Sequence, residues 1–299
     1  MAWRGVHLSR AARLRLEHRN LVIDFADGAA TTRLPLEDIA YLILDTPEIS
    51  LSGALMSHMS QHAVMVLGSD EKHMPAWISL PWGLHHRQAE VTNLQIESSL
   101  PLKKRIWQKI VGLKIAAQAG CLGRLGRQNA DVLQALAGTV QSGDTGNVES
   151  RAAVMYFQSL FPDKEFVRHA DDLPNALLNY GYSLCRSGLA RFLCAHGFIP
   201  SIGLHHCSMA NPFNLADDLI EPYRPLVDEI AAGLYGSRSP ADPFTLDDRR
   251  ALTLLLEKPV LFEGAEVTLF ATFALVVQSL RRAIENKEPG MLTFPIPLS

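Results

Sequence analysis

The feature that most restricts how this chain can fold is a change in the spacing of its apolar residues near positions 81–88. Before that point Arg13-Leu14-Arg15-Leu16 alternates, Leu21-Val22-Ile23-Asp24-Phe25 is a short apolar run, and Asp27-Gly28 makes a turn ahead of Thr31-Thr32-Arg33-Leu34. A two-residue period sends successive side chains to opposite faces of a strand. Further strands are expected over 39–44, 64–67 and 76–80. Between the first two of these, Ser52 is placed to cap a short helix to about Gln61, in which Leu55, Met56 and Met59 recur at helical spacing. Pro81-Trp82-Gly83 then breaks the pattern and opens a linker over 81–88.

Beyond the linker the period lengthens to three and four residues: Val91, Leu94 and Ile96, then Ile106, Ile110, Leu113 and Ala117, interrupted at Pro101. Helices are expected over 147–161, 173–196, 214–235, 246–257 and 265–286, with Gly290 to Ser299 as an irregular tail. The expected fold is α+β: a small, sandwich-like N-terminal β domain over residues 1–84 and a larger, mainly α-helical catalytic domain over residues 85–299.

Composition narrows the classes. With 47% hydrophobic and 20% charged residues the chain can bury an ordinary globular core, which excludes intrinsic disorder as the default. The amino terminus lacks the basic start and apolar stretch of a secretory signal, and the longest apolar run, Thr268 to Leu280, is too short to span a bilayer. A soluble cytoplasmic protein without a membrane partner is the expectation. Cys121, Cys185, Cys194 and Cys207 form no C-x-x-C pair, so they read as reduced thiols rather than as a zinc or disulfide framework.

A net charge of −3 argues against a nucleic-acid partner on average, but the charge is unevenly distributed. From Leu100 to Ala130 no acidic side chain occurs, while Lys103, Lys104, Arg105, Lys109, Lys114, Arg124 and Arg127 are all basic. That segment is the candidate DNA-binding surface, carried chiefly by Lys103, Lys104, Arg105, Lys109 and Lys114.

Three patches carry polar residues in apolar helical surroundings. In Asn147-Val148-Glu149, Asn147 can cap a helix and put Glu149 in its first turn; taken alone, this is a carboxylate favoured by the helix dipole. Ile199-Pro200-Ser201-Ile202-Gly203-Leu204-His205-His206-Cys207 is a breaker-rich connection of the kind that presents reactive residues. Adjacent histidines point differently, so one faces the site and His206 is the ordinary partner. In Asn214 to Pro225, Asp218 and Glu221 lie three apart and share a helix face, where like charges repel unless a cation lies between them. Oxygen donors with one imidazole suit Mg²⁺ or Mn²⁺, and Glu149, His205 and Glu221 make that set.

The runs Leu178-Asn179-Tyr180-Gly181-Tyr182-Ser183-Leu184, Pro200-Ser201-Ile202-Gly203-Leu204-His205-His206 and Leu215-Ala216-Asp217-Asp218-Leu219-Ile220-Glu221-Pro222-Tyr223-Arg224-Pro225 closely resemble, in order and spacing, the CRISPR-associated integrase family Cas one. The opening Met1-Ala2-Trp3-Arg4 and the length are similar to its type II branch. The resemblance implies a metal-dependent DNA endonuclease and integrase of spacer acquisition, with Glu149, His205 and Glu221 as catalytic metal ligands and Asp218 in a supporting role. It also implies an N-terminal β domain joined to a helical catalytic domain. Implied partners are duplex DNA fragments with 3′ ends, the CRISPR repeat array, a second copy of the chain, the smaller protein Cas two in a higher-order complex, and the type II RNA-guided effector.

Two rival readings are weaker. A metal-dependent phosphohydrolase would set His directly beside Asp, whereas the nearest such neighbours are separated, as in His169-Ala170-Asp171. A non-catalytic DNA-binding scaffold would use only the basic segment, and metal-dependent strand transfer excludes it.

Overall fold

A computed structural model describes residues 4–81, 83–161 and 166–298. Met1-Ala2-Trp3, the linker residue Trp82 and Ser299 lie outside the described residues. The chain forms two compact units, Met1–His86 and Arg87–Ser299.

The first unit contains strands β1 (Arg4–Leu8), β2 (Ala12–Glu17), β3 (Asn20–Phe25), β4 (Thr32–Pro35), β5 (Ile39–Leu44) and β6 (Ile49–Leu51), helix α1 (Gly53–Gln61), and strands β7 (Met65–Ser69) and β8 (Pro75–Ser79). They assemble into two four-stranded sheets, ordered β1-β5-β7-β8 and β4-β3-β2-β6. Central β5 is buried at every position and pairs in parallel with β1 and β7, which is why its sequence is an unbroken apolar run. In β2, by contrast, Leu14 is buried between an exposed and a half-buried arginine, the alternation of a sheet with one solvated face. The β2–β3 hairpin turns on His18 and Arg19, both at positive φ (47° and 63°), as a two-residue turn matched to strand twist requires.

Leu14, Leu21 and Ile23 of one sheet, Leu42 and Val66 of the other, and Leu55 and Met59 of α1 bury into one core. Ser52 accepts a hydrogen bond from the Leu55 backbone at 3.3 Å and fixes the start of α1. Two strands were not among those expected: β1, whose Val6 and Leu8 are buried, pairs with β5, and three-residue β6 pairs in parallel with β2.

The second unit contains α2 (Gln88–Glu97), α3 (Leu100–Arg124), α4 (Ala130–Ala137), α5 (Val148–Leu160), α6 (Leu173–Ala195), α7 (Asn214–Ile220), α8 (Arg224–Tyr235), α9 (Leu246–Leu254), β9 (Pro259–Phe262), β10 (Ala265–Thr268), α10 (Leu269–Glu285) and β11 (Ile296–Pro297). Pro101 sits in the first turn of α3, where its missing N–H costs nothing, so it begins this helix rather than kinking one. The single helix expected over 214–235 is interrupted by a 3₁₀ turn, Glu221–Tyr223, because Pro222 and Pro225 each remove a backbone donor.

The expected helix over 265–286 begins later. Residues 265–268 instead pair with β9 through a turn at Glu263 and Gly264, both at positive φ, and Thr268 then caps α10. The tail is also partly regular: Ile296 and Pro297 pair with Leu261 and Val260 and complete a three-stranded sheet. Cys121, Cys185 and Cys194 are buried free thiols, and Cys207 is an exposed one. Among the described residues, no helix is long and apolar enough to cross a membrane.

Candidate metal centre and its supporting loop

Glu149 enters the site from the first turn of α5, but Asn147 does not supply the cap. Asn147 sits at φ 52° with no side-chain bond to the helix. The buried carboxylate of Asp144 does the capping, accepting from the backbone of Val148 at 2.9 Å and of Glu149 at 3.0 Å. Glu221 arrives from the 3₁₀ turn after α7, with its side chain 5% exposed.

The two acids meet at one cation. The Lys114 ammonium, projecting from the middle of α3, lies 2.6 Å from Glu149 Oε1 and 2.5 Å from Glu221 Oε2, while Arg224 Nε donates to Glu221 Oε1 at 2.9 Å. Burial acts to raise the Glu221 carboxyl, but Lys114 and then Arg224 outweigh it and hold the group below the usual carboxylate range. Burial likewise acts to lower the Lys114 ammonium, and Glu221 and Glu149 outweigh it, leaving the group raised.

Lys114, read from the sequence as a DNA-contacting residue, is therefore committed to two carboxylates in a nearly buried position. Lys109, assigned to the same surface, donates to the Gly290 carbonyl at 2.7 Å. Lys104 and Arg105 are exposed, and Lys103 is half-buried.

His205 reaches the same helix at Trp107. Its ring stacks flat on Trp107, with centroids 4.2 Å apart and planes at 1°. Trp107 and Lys114 are seven residues apart on α3, thus on one face and about 10 Å apart along the axis. The structure brings Glu149 and Glu221 together at Lys114 and places His205 against Trp107, two turns away on the same helix. Among the described residues, no three His, Cys, Asp or Glu side chains are close enough to hold a metal, so the imidazole stands apart from the acid pair. The acid pair itself fits a divalent ion: two oxygen donors from separate elements converge on a point already occupied by positive charge.

The loop carrying His205 is fastened at several points. Asp218, fully buried on α7, accepts from the backbones of Leu204 (2.5 Å), His205 (3.2 Å) and His206 (3.1 Å), and its Oδ1 lies 2.8 Å from His206 Nδ1. That hydrogen bond, against a smaller opposing effect of burial, raises the His206 imidazole above its ordinary value. Both Asp218 oxygens are thus engaged in shaping the loop.

Gln95 on α2 accepts from Ile199 N–H and donates to the Ile199 and Ile202 carbonyls, and Asn214 donates to those of Ser201 and Ser208. Gly203 is obligatory, since a Cβ there would lie 2.2 Å from the His206 carbonyl oxygen. Arg224 was legible as a helix-spaced partner of Glu221, three residues on. Asp144, Gln95 and Trp107 gave no comparable sequence signal, because each acts on a residue remote in sequence or on backbone.

The family model for CRISPR associated protein Cas1 matches residues 6–257. The CRISPR-associated endonuclease Cas1 of Neisseria meningitidis serogroup C (strain 8013) is 38% identical over 296 residues, covering 99% of this chain and 96% of that protein. The chain belongs to the CRISPR-associated Cas1 family. Among solved structures, a casposase bound to integration product superposes with a TM-score of 0.76 at 20% identity, over 96% of this chain and 91% of the other. A chain of a Cas6-RT-Cas1–Cas2 complex gives 0.73 at 20% identity over 97% of this chain, which spans 36% of that longer one.

Proposed function

We propose that the chain is a divalent-metal-dependent DNA endonuclease and integrase of CRISPR spacer acquisition, joining the 3′-hydroxyl ends of a captured duplex to the CRISPR repeat by transesterification. The observation that carries this reading is the convergence of Glu149 and Glu221, from different elements, on a single cation position in the helical unit. Glu149, His205 and Glu221 would hold Mg²⁺ or Mn²⁺, which when bound polarises the scissile phosphate and activates the attacking hydroxyl or water. Asp218 and Gln95 keep the His205 loop in register with α3, and Asp144 fixes the helix start that presents Glu149. The exposed part of the basic segment, with Lys104 and Arg105, would take phosphate charge.

The catalytic part is taken as residues 85–299, following a β domain over 1–84. The working assembly is a homodimer that engages duplex DNA, the repeat array and the smaller Cas2 protein. The Cas6-RT-Cas1–Cas2 complex and the product-bound casposase support this reading by likeness of fold.

Strand transfer into supercoiled DNA carrying a cognate repeat, with purified Cas2, tests the proposal. Activity is expected to vanish with EDTA and return with Mn²⁺ or Mg²⁺; full activity in metal-free buffer would remove the mechanism. His205→Ala is expected to lower strand transfer by orders of magnitude with DNA affinity kept. His206→Ala is expected to matter much less, because the Asp218 bonds to the loop backbone survive it. Inactivation by His206→Ala alone would move the ligand assignment by one residue.

A further inference from the structure

Lys114 is the odd member of α3. The residues flanking it on the helix, Ile110, Val111 and Ile115, are fully buried, yet its side chain, 12% exposed, ends in an ammonium between two acids. Without a positive charge between them, Glu149 and Glu221 would repel, and the nearly buried Glu221 would have to stay ionised in an apolar setting. Arg224 covers only one Glu221 oxygen, Oε1, and no ion pair joins it to Glu149 among the described residues. Lys114 is therefore the one cation within ion-pair distance of both acids among the described residues.

A divalent ion bridging the same oxygens would lie against that ammonium, and two cations do not share one position. The four-carbon lysine stem lets the charged end swing away while the stem stays packed. Rigid Arg224 holds the opposite edge of Glu221 throughout.

We propose that Lys114 is a built-in stand-in cation: its ammonium assembles the Glu149–Glu221 pair when no divalent ion is bound and must be displaced for the ion to enter. This deepens the metal reading of the two acids and rests on it. Lys114 thus stabilises the ion-free protein and weakens apparent ion affinity, so entry is an exchange of one cation for another. It is a positioning residue, acting through the two carboxylates.

The test is Mn²⁺ titration of the full chain by electron paramagnetic resonance, with thermal unfolding in chelator and in Mn²⁺, for wild type, Lys114→Met, Lys114→Gln and Lys114→Arg. Both neutral variants are expected to bind Mn²⁺ roughly tenfold more tightly than wild type, since binding no longer displaces a buried ion pair. In chelator they should melt earlier, and Mn²⁺ should raise their melting temperature more than that of wild type. Lys114→Arg, which keeps the charge, should not gain affinity.

Should Lys114→Met fail to fold in chelator, recovery of its fold on adding Mn²⁺ counts for the proposal, and Lys114→Gln supplies the affinity. Unchanged or weaker Mn²⁺ binding in both neutral variants overturns it while leaving the metal site standing. Absence of Mn²⁺ binding in wild type and variants alike overturns the metal reading itself.

Discussion

The two units handle buried polarity in opposite ways. Among the described residues of the β unit, Asp45 is the one buried polar or charged side chain, and it is flanked by His7 at 3.0 Å and His73 at 3.2 Å. The helical unit buries Asp144, Asp218, Glu221, Asp228 and Asp248, besides Arg191 and Arg249. An apolar core can be assembled by area alone, whereas each buried charge must find a particular partner. The β unit is therefore organised for stability. The helical unit spends part of its interior on placing a few oxygens and one imidazole.

The comparison breaks most visibly at Asp218. Replacing it with Ala leaves three backbone N–H groups without their acceptor and frees His206, with an expected loss of about 4 kcal/mol concentrated in the His205 loop. Hydrogen exchange should show residues 204–206 losing protection ahead of the rest of the helical unit. Uniform loss throughout the chain would mean that Asp218 supports the fold generally and the loop only incidentally.

The matching change in the β unit is Leu14→Ala, at a fully buried position. A cost of about 3 kcal/mol is expected from lost transfer energy and the cavity left behind. Denaturant unfolding should record that loss while Mn²⁺ affinity of the folded variant stays at the wild-type value. Reduced affinity would show that the site depends on the β core.

A subtler probe uses Asp228, which is buried against the Tyr156 hydroxyl at 2.9 Å and the Tyr182 hydroxyl. Burial pushes its carboxyl up to about 6, against the opposing hydrogen bonds from Tyr182 and Tyr156. A raised acid binds its proton more tightly when folded. Its contribution is fully present below the unfolded value near ~4 and is lost as pH rises through about 6. Wild type should accordingly lose about 2 kcal/mol relative to Asp228→Asn across that window. Parallel stability curves for the two proteins from pH ~4 to ~7 would show that the carboxyl is already ionised in the fold.

These contrasts explain which features were legible in the sequence. Periodicity exposed β2, β3, β5 and the long helices because burial of one face imposes a regular spacing. It passed over β6 and β11, whose reason for being strands lies in their partners β2 and β9, and over the short alternation of β1. It likewise ran α10 back through β10, where Thr268 rather than any change of hydrophobicity marks the boundary.

At the site, Glu149, His205 and Glu221 stood out by residue type and motif. Lys114 was grouped with its basic neighbours because sequence records its charge and not the carboxylates it faces. Asn147 looked like the cap because it immediately precedes the helix. The Asp144 carboxylate reaches past it over the positive-φ turn that both residues occupy.

The flat stack of His205 on Trp107 also makes the site optically readable. Of the four tryptophans, two lie among the described residues: Trp107 is buried to 1% exposure and Trp77 of the β unit is 44% exposed, so these two indoles emit from different surroundings. An imidazole ring 4.2 Å from an indole alters that indole's excited state directly. Any event that draws His205 off the stack therefore changes the buried component of the emission. The protein carries its own fluorophore against the ring of His205.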